Sequence, residues 1–278
     1  MKTLLVLVDH SYSAFNAARY ALSFAGSFDN CKVILYNSFN YLADSASELA
    51  YVSAGLESLK EQSIEQMADL EISLEPFRKP GTLIETIVDD RQLALAVSEI
   101  SRDRKVDLTI AGSKNRSPAG MLLIGSRITD LFKDFESPIL VIPSTYIYEP
   151  VMCAVLATDL ENVEKLPQSL INKFITDYRC RLLVLNVNPR EEEHRAAEQI
   201  QSIGKLHRLL EPNRPDYHYT SHHDVSEEIR IFSEEQHAGL IIIIHKEHSF
   251  LHKLFNRSVE KEMAMHSHVP VLILSELE

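Results

Sequence analysis

The stretch AGSKNRSPAGMLLIGSRITDLF, Ala111 to Phe132, decides how the chain is read: Gly112, Gly120 and Gly125 bracket a polar turn, and an amphipathic segment follows. It is preceded by VDLTIA, an apolar run of strand length, so the glycine loop leaves the carboxyl end of a strand. In an open parallel sheet, ligands sit at that end. Gly112 and Gly125 have no Cβ, which lets backbone N–H groups come close to a phosphate. Ser126 stands where a helix N-cap belongs, ahead of Ile128, Leu131, Phe132 and Phe135 on one helical face. A helix N-terminus adds free donors and partial positive charge, and Lys114, Arg116 and Arg127 place cations beside it.

Outward from this loop the chain alternates strands and helices. TLLVLV (3–8), KVILYNSF (32–39), LIETIVDD (83–90), VDLTIAGS (106–113) and SPILVIP (137–143) read as five strands. Helical spacing appears over 14–24, at Leu49, Val52, Leu56, Leu59, Met67 and Leu70, and over 92–100. The series then restarts with VMCAVLA (151–157), a helix through Phe174, CRLLVLNV (180–187), a helix from about Arg190 to Leu210, YHYTSHH (217–223), SEEIRIFSEEQ (226–236), GLIIIIH (239–245) and VPVLILS (269–275). The expected fold is α/β, two tandem open parallel five-stranded sheets with helices on both faces, in domains 1–146 and 150–278.

The repeat has a register. Pro138 and Pro270, Ser126 and Ser258, and Asp107 and Gly239 are all 132 residues apart. At that offset Gly112 faces Ile244, Asn115 faces Glu247 and Gly125 faces Arg257. The small positions of the first loop are filled in the second.

Composition narrows the function classes. The 28 Lys+Arg and 40 Asp+Glu divide evenly between the halves, so neither offers a basic nucleic-acid surface. Three widely spaced cysteines without a CxxC pattern suit reduced thiols, the opening MKTLLVLVDH is too short an apolar run for a signal or a span, and a cytoplasmic protein without membrane association is expected. Eleven of the twelve histidines lie in the second half, but their spacing matches no common zinc pattern and no metal is expected. P-loop, nucleophile-elbow and HExxH motifs are absent from the sequence.

Gly112, Asn115, Gly125 and Ser126 resemble the G-x2-G-x9-G-[ST] nucleotide loop of the universal stress protein family, and LLVLVDHS resembles that family's first strand with its Asp. The resemblance covers essentially the whole chain as a tandem two-domain member, with the adenine nucleotide alpha hydrolase-like variant of the Rossmann architecture. It implies a stress-response regulatory or sensor protein binding ATP or AMP, alone or with Mg2+, in its first domain. Asp9 would meet ribose or adenine, and Ser38 and Ala111 would lie near the base. Gly112, Ser113, Asn115, Gly125, Ser126 and the neighbouring Arg127 would hold phosphates. Asn115 departs from the family's usual glycine, although Asn tolerates the left-handed region. The resemblance also implies an intramolecular pseudo-dimer of the two domains, and it leaves a homodimer, a nucleotide-free interaction module and slow ATP hydrolysis open.

Overall fold

The computed structural model describes residues 1–39, 56–113, 137–160, 162–188, 197–245 and 267–277. It divides into two compact units, Met1–Tyr148 and Glu149–Glu278.

The first unit is built from β1 (Lys2–Leu7), α1 (Tyr12–Ala25), β2 (Cys31–Ser38), α2 (Leu56–Leu74), β3 (Thr82–Asp89), α3 (Leu93–Arg104), β4 (Leu108–Ser113) and β5 (Ile139–Pro143). Its strands lie in the order β3-β2-β1-β4-β5, all parallel. The continuous apolar run of β1 has its reason here: Leu4, Leu5 and Val6 are buried because the strand is central and covered on both faces. α1 packs on β1, β2, β4 and β5. Ala14, Ala17, Ala18, Ala21 and Ala25 line its buried side, and such short side chains let a helix lie close to a sheet.

The second unit contains β6 (Cys153–Ala157), α4 (Gln168–Tyr178), β7 (Arg181–Asn188), α5 (Ala197–Leu210), β8 (Asp216–Ser221), α6 (Val225–Glu235), β9 (Leu240–His245) and β10 (Val271–Ser275). Its strands are again parallel, in the order β8-β7-β6-β9-β10. The alternating pattern of the sequence therefore emerges as strands and helices close to the expected places. Among the described residues the exception is the first helix of this unit; Leu49, Val52, the start of the helix expected from about Arg190 and the helix expected after Ser126 lie outside them. A short 3-10 turn, Val163–Lys165, comes first and α4 begins only at Gln168. Pro167 helps to set that boundary, because a proline disfavours helical backbone in the residue before it.

Matched positions make matched hydrogen bonds. Asp107 N–H donates to the Thr3 carbonyl at 2.8 Å, and Gly239 N–H donates to that of Cys153 at 2.9 Å. Val106 N–H to Ser101 O and Ala238 N–H to Ser233 O both measure 2.9 Å, after helix ends in which Lys105 and His237 take the same left-handed φ of 51°. The buried Asn37 side chain donates to the Val8 carbonyl at 2.7 Å, and Asn186 donates to Thr158 at 2.8 Å. Those two carbonyls belong to the residues at which the central strands turn away, and a buried carbonyl left unpaired costs about 1–3 kcal/mol. An asparagine within an apolar strand thus shapes each turn that follows β1 and β6.

Candidate functional site at the carboxyl ends of the first sheet

Strand order reverses between β1 and β4, the place where an open α/β sheet opens a crevice. The ladder between β1 and β4 joins Leu4–Val6 to Leu108–Ile110 and stops, while β4 stays paired to β5 as far as Ser113↔Pro143. Ala111, Gly112 and Ser113 therefore continue beyond the ladder with β1, which ends at Val6↔Ile110 shortly before Asp9. In the second unit the corresponding ladder continues to Ala157↔Ile243, the place of Leu7 and Ala111.

Asp9 is half-buried, and its Oδ1 accepts the Ser11 N–H at 3.1 Å and the Ser11 hydroxyl. Ser11 is the N-cap of α1, its Oγ accepting from Ala14 N–H at 3.2 Å and lying 2.9 Å from Ser13 Oγ. The sharp turn between them is made by His10, whose φ is 60°. Leu160, the residue after Asp159 in the second unit, has φ 66°. The left-handed turn after the aspartate is common to both units.

Gly112 has a structural reason that the sequence did not reveal. A Cβ placed there would lie 2.3 Å from the Ser13 carbonyl oxygen and 2.5 Å from its carbon. The missing side chain makes room for the first turn of α1, backbone against backbone. Ile244 can occupy the matched place because the second unit has no helix at that point: the 3-10 turn carries Val163, and Leu160, Val163 and Leu166 are all buried.

Ser38 and Ala111 are both buried, as is Ser113. The Ser38 hydroxyl donates to the Arg91 carbonyl at 2.7 Å, which ties the end of β2 to the turn after β3. Asp89, Arg91 and Glu99 were not foreseen as neighbours of the site. The Asp89 carboxylate receives Tyr36 OH at 2.8 Å and Arg91 Nε at 2.8 Å, and Arg91 also reaches Glu99 at 2.7 Å. These carboxylates hold the guanidinium charged, and burial with the Asp89 contact pushes the Tyr36 phenol well up. The alternation of strand residues with a charge two positions past the strand end was the available signal. Asn115, Gly125, Ser126 and Arg127, with Lys114 and Arg116, lie outside the described residues.

Residues 1–143 match the model of the universal stress protein family. The chain belongs to that family. Its fold is similar to that of a universal stress protein from Archaeoglobus fulgidus DSM 4304, at 15% identity, 98% coverage of each chain and a TM-score of 0.71. A functionally unknown protein from Pseudomonas aeruginosa PAO1 is similar at 14% identity, covering 99% of this chain and 93% of that one, with a TM-score of 0.57. The cytoplasmic domain of a prokaryotic cation chloride cotransporter is similar at 12% identity, with coverage of 100% and 95% and a TM-score of 0.53. At these identities the likeness is one of fold. No curated protein matches the sequence.

Among the described residues no group of three His, Cys, Asp or Glu is arranged to hold a metal ion, and no helix is long and apolar enough to cross a membrane. All three cysteines are free thiols, and burial raises those of Cys31 and Cys180 to about 11.

Two predictions follow from this geometry. Gly112→Ala forces a methyl group onto the Ser13 carbonyl, and overpacking of this kind costs about 1–3 kcal/mol. Thermal unfolding of the variant should show a lower midpoint than wild type; an unchanged midpoint contradicts the contact. The second concerns His10, whose pKa burial lowers from 6.5 against the opposing effects of Asp9 and its hydrogen bond with Asn37. Below pH 6.5 the unfolded chain takes up a proton that the folded site resists, so His10 removes stability as pH falls through 6.5 toward the lower folded value. His10→Asn keeps a residue suited to positive φ and should lose less stability than wild type between about pH 7.5 and pH 5.5 in urea titrations. Equal losses in both proteins would refute this assignment.

Proposed function

We propose that the first unit binds an adenine nucleotide, ATP or AMP, at the carboxyl ends of β1 and β4, and that the protein acts as a stress-response regulator or sensor. The observation that carries this reading is the contrast between two otherwise matched strand ends. In the first unit the ladder between β1 and β4 ends at Val6↔Ile110, and Gly112 puts no side chain at the strand end. In the second, pairing continues one pair further and the matched residue is Ile244, with Leu160 and Val163 also buried. Asp9, Ser38 and Ala111 would line the base and ribose side, and Gly112 and Ser113 would begin the phosphate side. Asn115, Gly125, Ser126 and Arg127 enter through the sequence resemblance, as the phosphate side with or without Mg2+. A cytoplasmic location accords with free thiols and an acidic chain.

One observation favours a second reading, a nucleotide-free interaction module. Gly112 is fully accounted for by the approach of α1, and the Ser38 hydroxyl is already engaged by Arg91, so neither residue requires a ligand to explain it. Calorimetric titration with ATP and with AMP separates the two. The nucleotide reading expects one equivalent per chain and no binding by Gly125→Arg, which copies Arg257 into the first loop. Two equivalents, or unchanged affinity in that variant, would overturn the site. No binding by wild type would establish the second reading.

The two domains are further proposed to form an intramolecular pseudo-dimer through their last strands, ILVIP and VLILS, because an apolar edge strand needs cover. Halves expressed separately as residues 1–148 and 149–278 should associate on mixing in analytical ultracentrifugation. Two monomers that do not associate would exclude this pairing.

A further inference from the structure

Two of the residues expected to meet the nucleotide, Asp9 and Gly112, contact the start of α1. Asp9 orients its N-cap, Ser11, and Gly112 lies against the Ser13 carbonyl. One turn farther along, the buried Asn16 side chain holds the chain that leaves β5. Its Nδ2 donates to the Pro143 carbonyl at 3.0 Å and to the Tyr146 carbonyl at 2.9 Å, and its Oδ1 accepts from Arg19 at 2.7 Å. Tyr20 extends the attachment, with ring centroids 6.1 Å from Tyr146 and 5.1 Å from Tyr148. Ser27 Oγ lies 3.2 Å from Tyr148 OH. Tyr148 is the last residue of the first unit, and the chain enters the second at Glu149.

We propose that nucleotide occupancy of the first unit is transmitted through α1 to the connection between the units, residues 144–148. This rests on the nucleotide reading above. α1 is one 14-residue helix, so a ligand that requires its first turn to be seated also favours the seated position of Asn16 and Tyr20. The energetic requirement is only that ligand binds the seated state better than the released one. Linkage then makes the effect reciprocal: whatever factor the ligand adds to the attachment, the attachment adds to ligand affinity.

The device is confined to the first unit. Leu166 stands in the place of Asn16, and α4 starts beyond it. The segment after β10 is held differently, by Leu277 N–H donating to the Lys165 carbonyl at 2.8 Å. A signal from the nucleotide therefore has a built route to the connection, and among the described residues the second unit has no copy of that route.

Hydrogen exchange read by mass spectrometry on the full chain, without ATP and with ATP at about 100 times its Kd, tests the proposal, with calorimetry on the same preparation. Peptides covering 144–148 should exchange at least about tenfold more slowly with ATP, while those covering α6 keep their rate. In Asn16→Leu the connection should exchange fast with or without ATP, and ATP affinity should fall by the factor of protection lost. Tyr148→Ala, which leaves α1 and its asparagine intact, should give a smaller change in the same direction. ATP bound by calorimetry with unchanged exchange at 144–148 overturns the coupling alone. Absence of calorimetric binding of both ATP and AMP by wild type overturns the nucleotide reading and the coupling with it; if AMP alone binds, the exchange experiment is read with AMP.

Discussion

The contact between the Gly112 backbone and the Ser13 carbonyl sets the geometry of the first unit's working edge. It requires that one residue of β4 have no side chain, and in return the first turn of α1 can settle between the ends of β1 and β4. Ser11 then caps that turn and Asp9 orients the cap. Once the turn is seated, the helix carries Asn16 and Tyr20 to the chain leaving β5. Strand end, helix start and exit segment are consequently one mechanical assembly.

The second unit shows what happens when that constraint is lifted. Its β9 carries Ile244 where β4 carries glycine, and the helix that would collide with such a side chain does not start there. The two departures belong together: a branched side chain and a seated helix turn cannot share one volume. Leu160, Val163 and Leu166 are buried there, each side chain contributing about 1.5–3 kcal/mol when fully removed from water.

Much of the fold was legible in the sequence because buried parallel strands write themselves as apolar runs, and TLLVLV and LIIII are such runs. The 132-residue offset was legible too, and it set Ile244 against Gly112. What was hidden depends on contacts between distant residues. Nothing local in DHSYSAFN shows that Ser13 will meet Gly112, nor that Asn16 will reach Pro143 and Tyr146, 127 and 130 residues away. Asn37 was hidden for the same reason, since its partner Val8 follows another strand, β1. The late start of α4 could have been read from Pro167, whose effect on the residue before it is local.

The features retained by both units identify what belongs to the fold. Asp159 follows Thr158 as Asp9 follows Val8, the next residue turns left-handed in each case, and Asn186 holds its carbonyl as Asn37 does. An aspartate at this strand end is thus present in a unit whose β9 carries Ile244 in place of the glycine, and by itself it is no signature of a nucleotide. The discriminating positions are those that differ: Ser11 against Glu161, Ser13 against Val163, Asn16 against Leu166 and Gly112 against Ile244. Three of those four first-unit residues lie on or cap α1, and the fourth is the glycine that admits it. The two strand ends therefore differ in where the first helix starts and in whether a glycine admits it, more than in the aspartate that precedes it.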